Sequence, residues 1–408
     1  MAKQGTILIL TQVYVPDSAS VGQHMHDTAV ELAQRGHRVV VLTSARGYDD
    51  PSMKNPLREL RDGVEIRRLP LASFGKSSIP IRLMGATLFL LQAFVRGLFV
   101  RGLRGTLVST SPPMCTIVAW LLALVRRAPY TFWVMDINPD QAVILGKVKE
   151  DGLLVRMFEA FNRRSLKRAT RVVVLDRLMA ERMNRKLDTS DKMEIIPPWT
   201  MLPPTEPVLH SENPFRREHG LTDKLVFMYS GNHSVAHPIG TILAAARRLE
   251  AREDLVFMFI GGGLGKRDVD EAVENGATNV RSLPYQPLEE LQWSLSAADI
   301  HLVTFSEEMV GVVHPCKAYG ALAASRPILL VGPRESHIGN LIDEYQVGWS
   351  VERDQVDEMV QLVEEIAGGQ AGDLEAMGRG GLEAIRKSLS PEVLRGRLCD
   401  VIEEGLAG

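Results

Sequence analysis

Thr6-Ile-Leu-Ile-Leu-Thr-Gln-Val13, the helical segment from Gly22 to Arg35, and Arg38-Val-Val-Val-Leu-Thr43 read as strand, helix and strand. The two β-branched runs suit buried strands, and Gly36-His37 closes the helix between them. The pattern repeats along the chain. Thr106–Thr110, Tyr130–Met135, Arg171–Leu175 and Met193–Ile196 are further strand candidates separated by helix-like stretches. Strand then helix, repeated, implies a parallel sheet covered on both faces.

Ile196-Pro-Pro-Trp-Thr-Met-Leu-Pro-Pro-Thr-Glu-Pro207 can continue neither element and reads as a linker. A second series follows, with strands at Leu225–Tyr229, Leu255–Ile260, Asn279–Leu283, Ile300–Thr304, Ile328–Val331 and Gly348–Val351. Helices lie near Thr241–Glu250, Leu288–Ala297, Cys316–Ala324 and Val356–Ala367. The expected fold class is α/β, with two Rossmann-like, doubly wound domains facing a central cleft: 1–200 and 201–389, the helix of 390–408 packing back onto the first.

The 408 residues suffice for two ordinary domains, and 45% hydrophobic content is that of a globular protein. Three scattered cysteines, Cys115, Cys316 and Cys399, form no Cys-x-x-Cys pair, which argues against a disulfide framework and a zinc site. A strand begins almost at the N-terminus, so no secretory signal is expected. Net charge is only −3, yet Ile66 to Met135 contains no Asp or Glu and carries Arg67, Arg68, Lys76, Arg82, Arg96, Arg101, Arg104, Arg126 and Arg127. An anionic partner is expected on that flank.

Ile79–Leu103 is rich in Leu, Phe and Ile, and its uncharged run from Leu83 to Val95 is shorter than the roughly 20 residues a membrane-spanning helix needs. Read as one helix, it places Arg82, Arg96, Arg101 and Arg104 within an arc of roughly 140° at about 100° per residue. That suits a helix lying among anionic headgroups. A core helix with arginines reaching solvent would share the pattern. Neither a helix-turn-helix nor an aromatic-basic platform appears, so nucleic acid is not an expected partner.

Gly-Val-Val-His-Pro-Cys-Lys-Ala-Tyr-Gly, 311–320, follows the fourth strand of the second series. Gly311 turns, Pro315 suits a helix start, and Lys317 falls in the first helical turn, where free N–H groups and the helix dipole attract a phosphate or diphosphate. A surface helix with a solvated lysine is the plain alternative. Gly231 and Asn232 in Tyr229-Ser-Gly-Asn-His-Ser234, and Gly262 and Gly263 in Ile260-Gly-Gly-Gly263, also end strands, with Lys266 and Arg267 as further phosphate partners. Each glycine alone could be a tight turn; together they point to a nucleotide. No three-glycine dinucleotide fingerprint occurs. Gly22, just before the first helix, would let a substrate approach the backbone, with His26 beyond it. Asp136 and Asp140, in Asp-Ile-Asn-Pro-Asp after a strand, could orient a hydroxyl or simply make a turn. Glu307 and Glu308 could accept from sugar hydroxyls or remain solvated.

Taken in order, these motifs resemble the retaining glycosyltransferases of family 4 with the GT-B fold, and most closely the bacterial branch that builds O-antigen and colanic-acid-type polysaccharides. The resemblance runs over nearly the whole chain: Gly22 and His26, Glu31 to Thr43, Ser111-Pro-Pro113, Asp136-x-x-Pro-Asp140 with Gly146, Tyr229 to His233, Ile260 to Gly263, Leu283-Pro-Tyr-Gln-Pro287 and Pro315-x-Lys317-x-Tyr-Gly320. It implies transfer of a sugar, an N-acetylated amino sugar being the first choice, from a UDP-sugar donor to a polyprenyl-diphosphate-linked acceptor. No metal or other cofactor is implied, and the protein would sit peripherally on the cytoplasmic face of the bacterial inner membrane. Lys317 and the N–H groups around Gly311, Val312 and Val313 would then stabilise the departing diphosphate, Glu308 would hold the donor sugar, and Tyr285 and its neighbours would contact the base. Asp136 would be the acceptor-side group, with Asp140 and His26 behind it. Two departures stand out: Gly320 replaces the family's ribose-binding glutamate, and the usual Arg and Lys after the first donor-domain strand give way to His233 and His237. A GT-B epimerase and a non-catalytic nucleotide-binding scaffold are the rival readings.

Overall fold

The computed structural model describes residues 4–17, 19–47, 52–72 and 79–407. The side chains of Gln4, Ile79, Pro80 and Arg82 lie outside that description, as does Lys76 altogether. The chain forms two compact units: Met1–Pro198 with Gly311–His314 and Glu392–Gly408, and Trp199–Val310 with Pro315–Pro391.

The first unit carries an eight-stranded sheet. Its strands are β1 (Gln4–Leu10), β2 (His37–Ser44), β3 (Arg58–Arg61), β4 (Val64–Leu69), β5 (Leu103–Ser109), β6 (Tyr130–Trp133), β7 (Arg171–Val174) and β8 (Met193–Ile195), in the order β3-β4-β2-β1-β5-β6-β7-β8. All pairings are parallel except β3 with β4. Ile7 to Leu10 and Val40 to Leu42 are fully buried, because helices cover a parallel sheet on both faces. The β3–β4 hairpin has no counterpart in the sequence reading. Arg58-Glu-Leu-Arg61 is a charged, largely exposed edge strand, and such a strand lacks the apolar alternation that marks its partners.

The second unit carries six parallel strands, β9 (Leu225–Ser230), β10 (Leu255–Ile260), β11 (Val280–Leu283), β12 (Ile300–Thr304), β13 (Ile328–Val331) and β14 (Gly348–Val351), in the order β11-β10-β9-β12-β13-β14. Numbered within this unit, that is the 3-2-1-4-5-6 order of a dinucleotide-binding fold, and its ligand crevice opens beyond the strand ends where the order reverses, between β9 and β12. A core of Phe227, Tyr229, Phe257, Phe259, Leu302 and Leu329 fills one face of the sheet.

The basic flank needs a correction. The helix runs from Ile79 to Leu98 only, and Leu103 already belongs to β5, paired with Thr6. Gly102 adopts φ +66° and its carbonyl accepts from the Thr6 N–H at 2.7 Å, which turns the chain into the sheet. Arg101 and Arg104 therefore lie beyond the helix, and the single arc of four arginines does not form. The helix nevertheless shows an apolar face: Leu83, Met84, Leu91, Val95 and Phe99 just past its end are exposed, while Phe89 and Ala93 are buried. Arg96, Arg101 and Arg104 are exposed as well. No described helix is long and apolar enough to cross a membrane.

Candidate functional site

In the second unit the ends of β9 and β10 meet backbone to backbone. Gly261 has φ +131°, and a Cβ there would come within 2.1 Å of the Gly231 carbonyl oxygen. A Cβ on Gly263, at φ +119°, would lie 2.3 Å from Asn232 Oδ1. Only glycine satisfies both conditions, so the strand-end turns sit as close as main chains can. The His233 N–H donates to the Gly262 carbonyl and the Gly265 N–H to that of His233, each at 2.8 Å.

Lys317 opens the helix Lys317–Ala323, after β12, and lies against this corner. Its Nζ donates to the Tyr229 phenol oxygen at 2.5 Å and stands 3.8 Å from the centre of that ring. Gly231 faces it; a Cβ there would be 3.4 Å from Lys317 Cε. Among the described residues no carboxylate pairs with Lys317, and burial pulls its ammonium down to about 7. Two histidines share the corner. His233, pushed down to about 4 by burial and then by Lys266, leaves Nε2 buried without a hydrogen-bond partner. His237, lowered to about 3 by burial and then by Lys317, donates Nδ1–H to the Thr304 carbonyl at 2.7 Å. The corner therefore combines one lysine, two neutral imidazoles and glycine-exposed backbone. Such a corner can bind and stabilise an anion, and it lacks the carboxylates that would hold the lysine's charge without one.

The remaining second-unit candidates divide. Tyr285 is exposed and its ring edge would meet a Cβ on Gly262 at 3.2 Å, so it borders the corner. Lys266 spends its Nζ on the carbonyls of Phe259 (3.0 Å) and Leu283 (2.8 Å), tying β10 to β11. Arg267 is 81% exposed and paired with Glu271 one helical turn on, and the structure does not bring it to Lys317. Glu308, on the turn Glu307–Met309, is exposed and 3.8 Å from Arg353.

Gly311, Val312 and Val313 belong to the first unit. Gly311 has φ +69° and would carry a Cβ 2.7 Å from the Leu178 carbonyl oxygen, and the Val312 carbonyl accepts from Ile137 N–H at 2.9 Å. His314 Nδ1 meets Asp176 Oδ2 at 2.7 Å, while Asp176 Oδ1 caps the helix Arg177–Lys186 by accepting from Met179 N–H. Asp176 escaped the sequence reading, although an aspartate between a strand and a helix is a capping signal.

Asp136 follows β6, where its N–H donates to Thr110 Oγ1 at 3.3 Å. Asp136 lines a cavity of about 20 Å³ with Thr110, Cys115, Asn138, Phe158 and Asn162. Burial, with no cation among the described residues to oppose it, raises the Asp136 carboxyl to about 6. Asp140 differs: burial works against its charge, but Lys186 at 2.5 Å and Arg182 at 2.9 Å hold it below the usual carboxylate range. Its oxygens are occupied. His26 bridges the Tyr14 phenol (3.0 Å from Nδ1) and Asp62 (3.1 Å from Nε2). Gly22 does admit a close approach, and Tyr14's own backbone makes it, 3.0 Å from where a Cβ would stand.

Residues 20–199 match the family described as Glycosyl transferase 4-like domain. The probable glycosyltransferase WbjE of Pseudomonas aeruginosa is 30% identical over 269 residues, 65% of this chain and 67% of that one. Among solved structures, a sucrose-phosphate synthase from Thermosynechococcus elongatus superposes with TM-score 0.78 at 16% identity, covering 99% of this chain and 100% of its own. Anabaena HepE, solved in complex with UDP, superposes with TM-score 0.71 at 12% identity, covering 98% and 100%. At such identities these structures establish the fold, which is GT-B.

Proposed function

The chain belongs to the family 4 glycosyltransferases of GT-B fold, and from that premise we propose that it moves a sugar, with retention of configuration, from a UDP-sugar to a polyprenyl-diphosphate-linked saccharide. The work belongs to bacterial surface polysaccharide assembly, and the sugar is an N-acetylated amino sugar. One observation carries the donor half: a lysine without a carboxylate, seated on Tyr229 at the β9–β12 reversal between glycine-marked strand ends. UDP and UDP-glucose complexes of HepE, a protein of the same fold, support the choice of donor.

In this reading the bond from the anomeric carbon to the β-phosphate oxygen breaks while the acceptor oxygen bonds to that carbon. The acceptor's proton passes to the departing phosphate oxygen. Lys317 stabilises the charge that develops there without a metal ion. Asp136 is the acceptor-side polar group. The exposed apolar face of Ile79–Leu98, together with the exposed Arg96, Arg101 and Arg104, holds the protein to the cytoplasmic face of the membrane that carries the lipid acceptor.

Calorimetry with UDP and a panel of UDP-sugars, followed by product analysis on a polyprenyl-diphosphate saccharide in vesicles, tests the proposal. Binding with transfer supports it. Free epimerised sugar would favour an epimerase, binding without turnover a scaffold, and no heat with any uridine nucleotide refutes the donor assignment.

A further inference from the structure

The contact between Lys317 and Tyr229 is unusual in what it leaves out. The Tyr229 hydroxyl spends its one proton on the Asn232 carbonyl at 2.8 Å, so toward Lys317 it can only accept. The ring is buried, and burial raises its phenol well beyond the physiological range, so it cannot become a phenolate counter-ion. The groups around the Lys317 amine are the Tyr229 ring and hydroxyl from β9, His233 and His237 from the following loop, and Cys316 from its own turn. Lys266 acts from behind His233. No carboxylate stands among these described residues. His233 is fully buried beside it, and its Nε2 has no hydrogen-bond partner.

Tyr229 therefore does two things at once. Through Asn232 it fixes the turn that closes β9, and through Nζ it fixes the direction of the lysine. We propose that Tyr229 is the positioning residue of the donor site, aiming Lys317 at the leaving diphosphate, and that diphosphate binding is coupled to proton uptake by the Lys317 amine. The inference rests on the reading that a nucleoside diphosphate occupies this corner. The arriving anion supplies the missing counter-charge, so the amine takes a proton from solvent as the complex forms. With the amine titrating near 7 in the empty site, most copies are neutral at pH 8, where a diphosphate is fully ionised. Uptake should then approach one proton per site, and affinity should fall as pH rises further.

Titrating the full chain with UDP at pH 8, in two buffers of different ionisation enthalpy, reads the proton count directly. The expected result is between about one half and one proton taken up per UDP. Tyr229→Phe, which keeps the ring, should weaken UDP binding by roughly three- to tenfold and change the proton count; a purely structural tyrosine would leave that count alone. Lys317→Met should abolish uptake with the melting temperature maintained. UDP binding with no buffer-dependent heat, or a Tyr229→Phe protein matching the parent in affinity and proton count, overturns this inference alone. Absence of heat with both UDP and inorganic pyrophosphate overturns it together with the reading it rests on.

Discussion

Asp136→Asn should make the protein more stable at alkaline pH. The parent buries a carboxyl with no cation beside it among the described residues, and its titration moves from an ordinary 3.8 to about 6. That displacement is worth about 3 kcal/mol at full ionisation. The sign follows from proton binding: the folded state holds this proton more tightly than the unfolded chain. The parent therefore escapes the penalty below about pH 3.8, loses stability as pH rises through the window to about 6, and bears the whole cost above it. Partial exposure of the residue reduces the figure, and a buried amide leaves a polar group short of partners at a cost of about 1 kcal/mol. The net expectation is a gain of about 1–2 kcal/mol for the Asn variant at pH 8, falling to about 0.5 kcal/mol or less at pH 5, where the carboxylate penalty is roughly halved and the amide cost is not. Urea denaturation of both proteins at the two pH values measures it. An Asn variant less stable than the parent at pH 8, or a difference that ignores pH, would refute the reasoning. A gain would also show that the parent retains a carboxyl its fold does not need, as expected of a group kept for chemistry.

Lys317→Ala should lower turnover at least about tenfold, or about 1.4 kcal/mol of transition-state stabilisation, in a sugar-transfer assay. Replacing Arg96, Arg101 and Arg104 together with Glu should release the protein from anionic vesicles in a flotation assay; continued binding would remove the flank from membrane attachment. Gly261→Ala forces a Cβ into the Gly231 carbonyl at φ +131° and should cost about 4 kcal/mol or more, read as a fall of about 10 °C in melting temperature.

The strands of the second sheet were the most legible part of the chain. Leu225–Ser230 and Leu255–Ile260 are short continuous apolar runs because both faces of a parallel sheet are covered, and those runs end at glycines that the turns require. Lys317 could be placed at a helix start from its own neighbourhood. Its partner could not: Tyr229 lies 88 residues earlier and reads locally as one more buried aromatic. Charges were the least legible feature. Arg267 and Lys266 are adjacent in sequence, yet one pairs with Glu271 in solvent while the other bonds two strand-end carbonyls. Asp136 and Asp140 share a motif, yet only Asp140 meets cations, supplied by a helix more than forty residues on. The end of the helix at Leu98 was missed because apolar residues continue past it; the turn at Gly102 and the pairing of β5, not hydrophobicity, decide where it stops.

The helix Pro391–Ala407 has a consequence for how the molecule is made. Its Asp400 and Glu403 hold Arg35, Glu403 also holds His37, and Leu406 fills the space beside Gly105 that any side chain there would occupy. The opening unit is thus sealed by a helix 365 residues further along the chain. On the ribosome, the β1–β2 region must wait for Asp400 and Glu403 to emerge before its outer surface is closed. A premature stop near codon 390 would therefore unsettle the opening two hundred residues, and two-fragment complementation cut at the proline-rich linker would strand this helix on the wrong fragment.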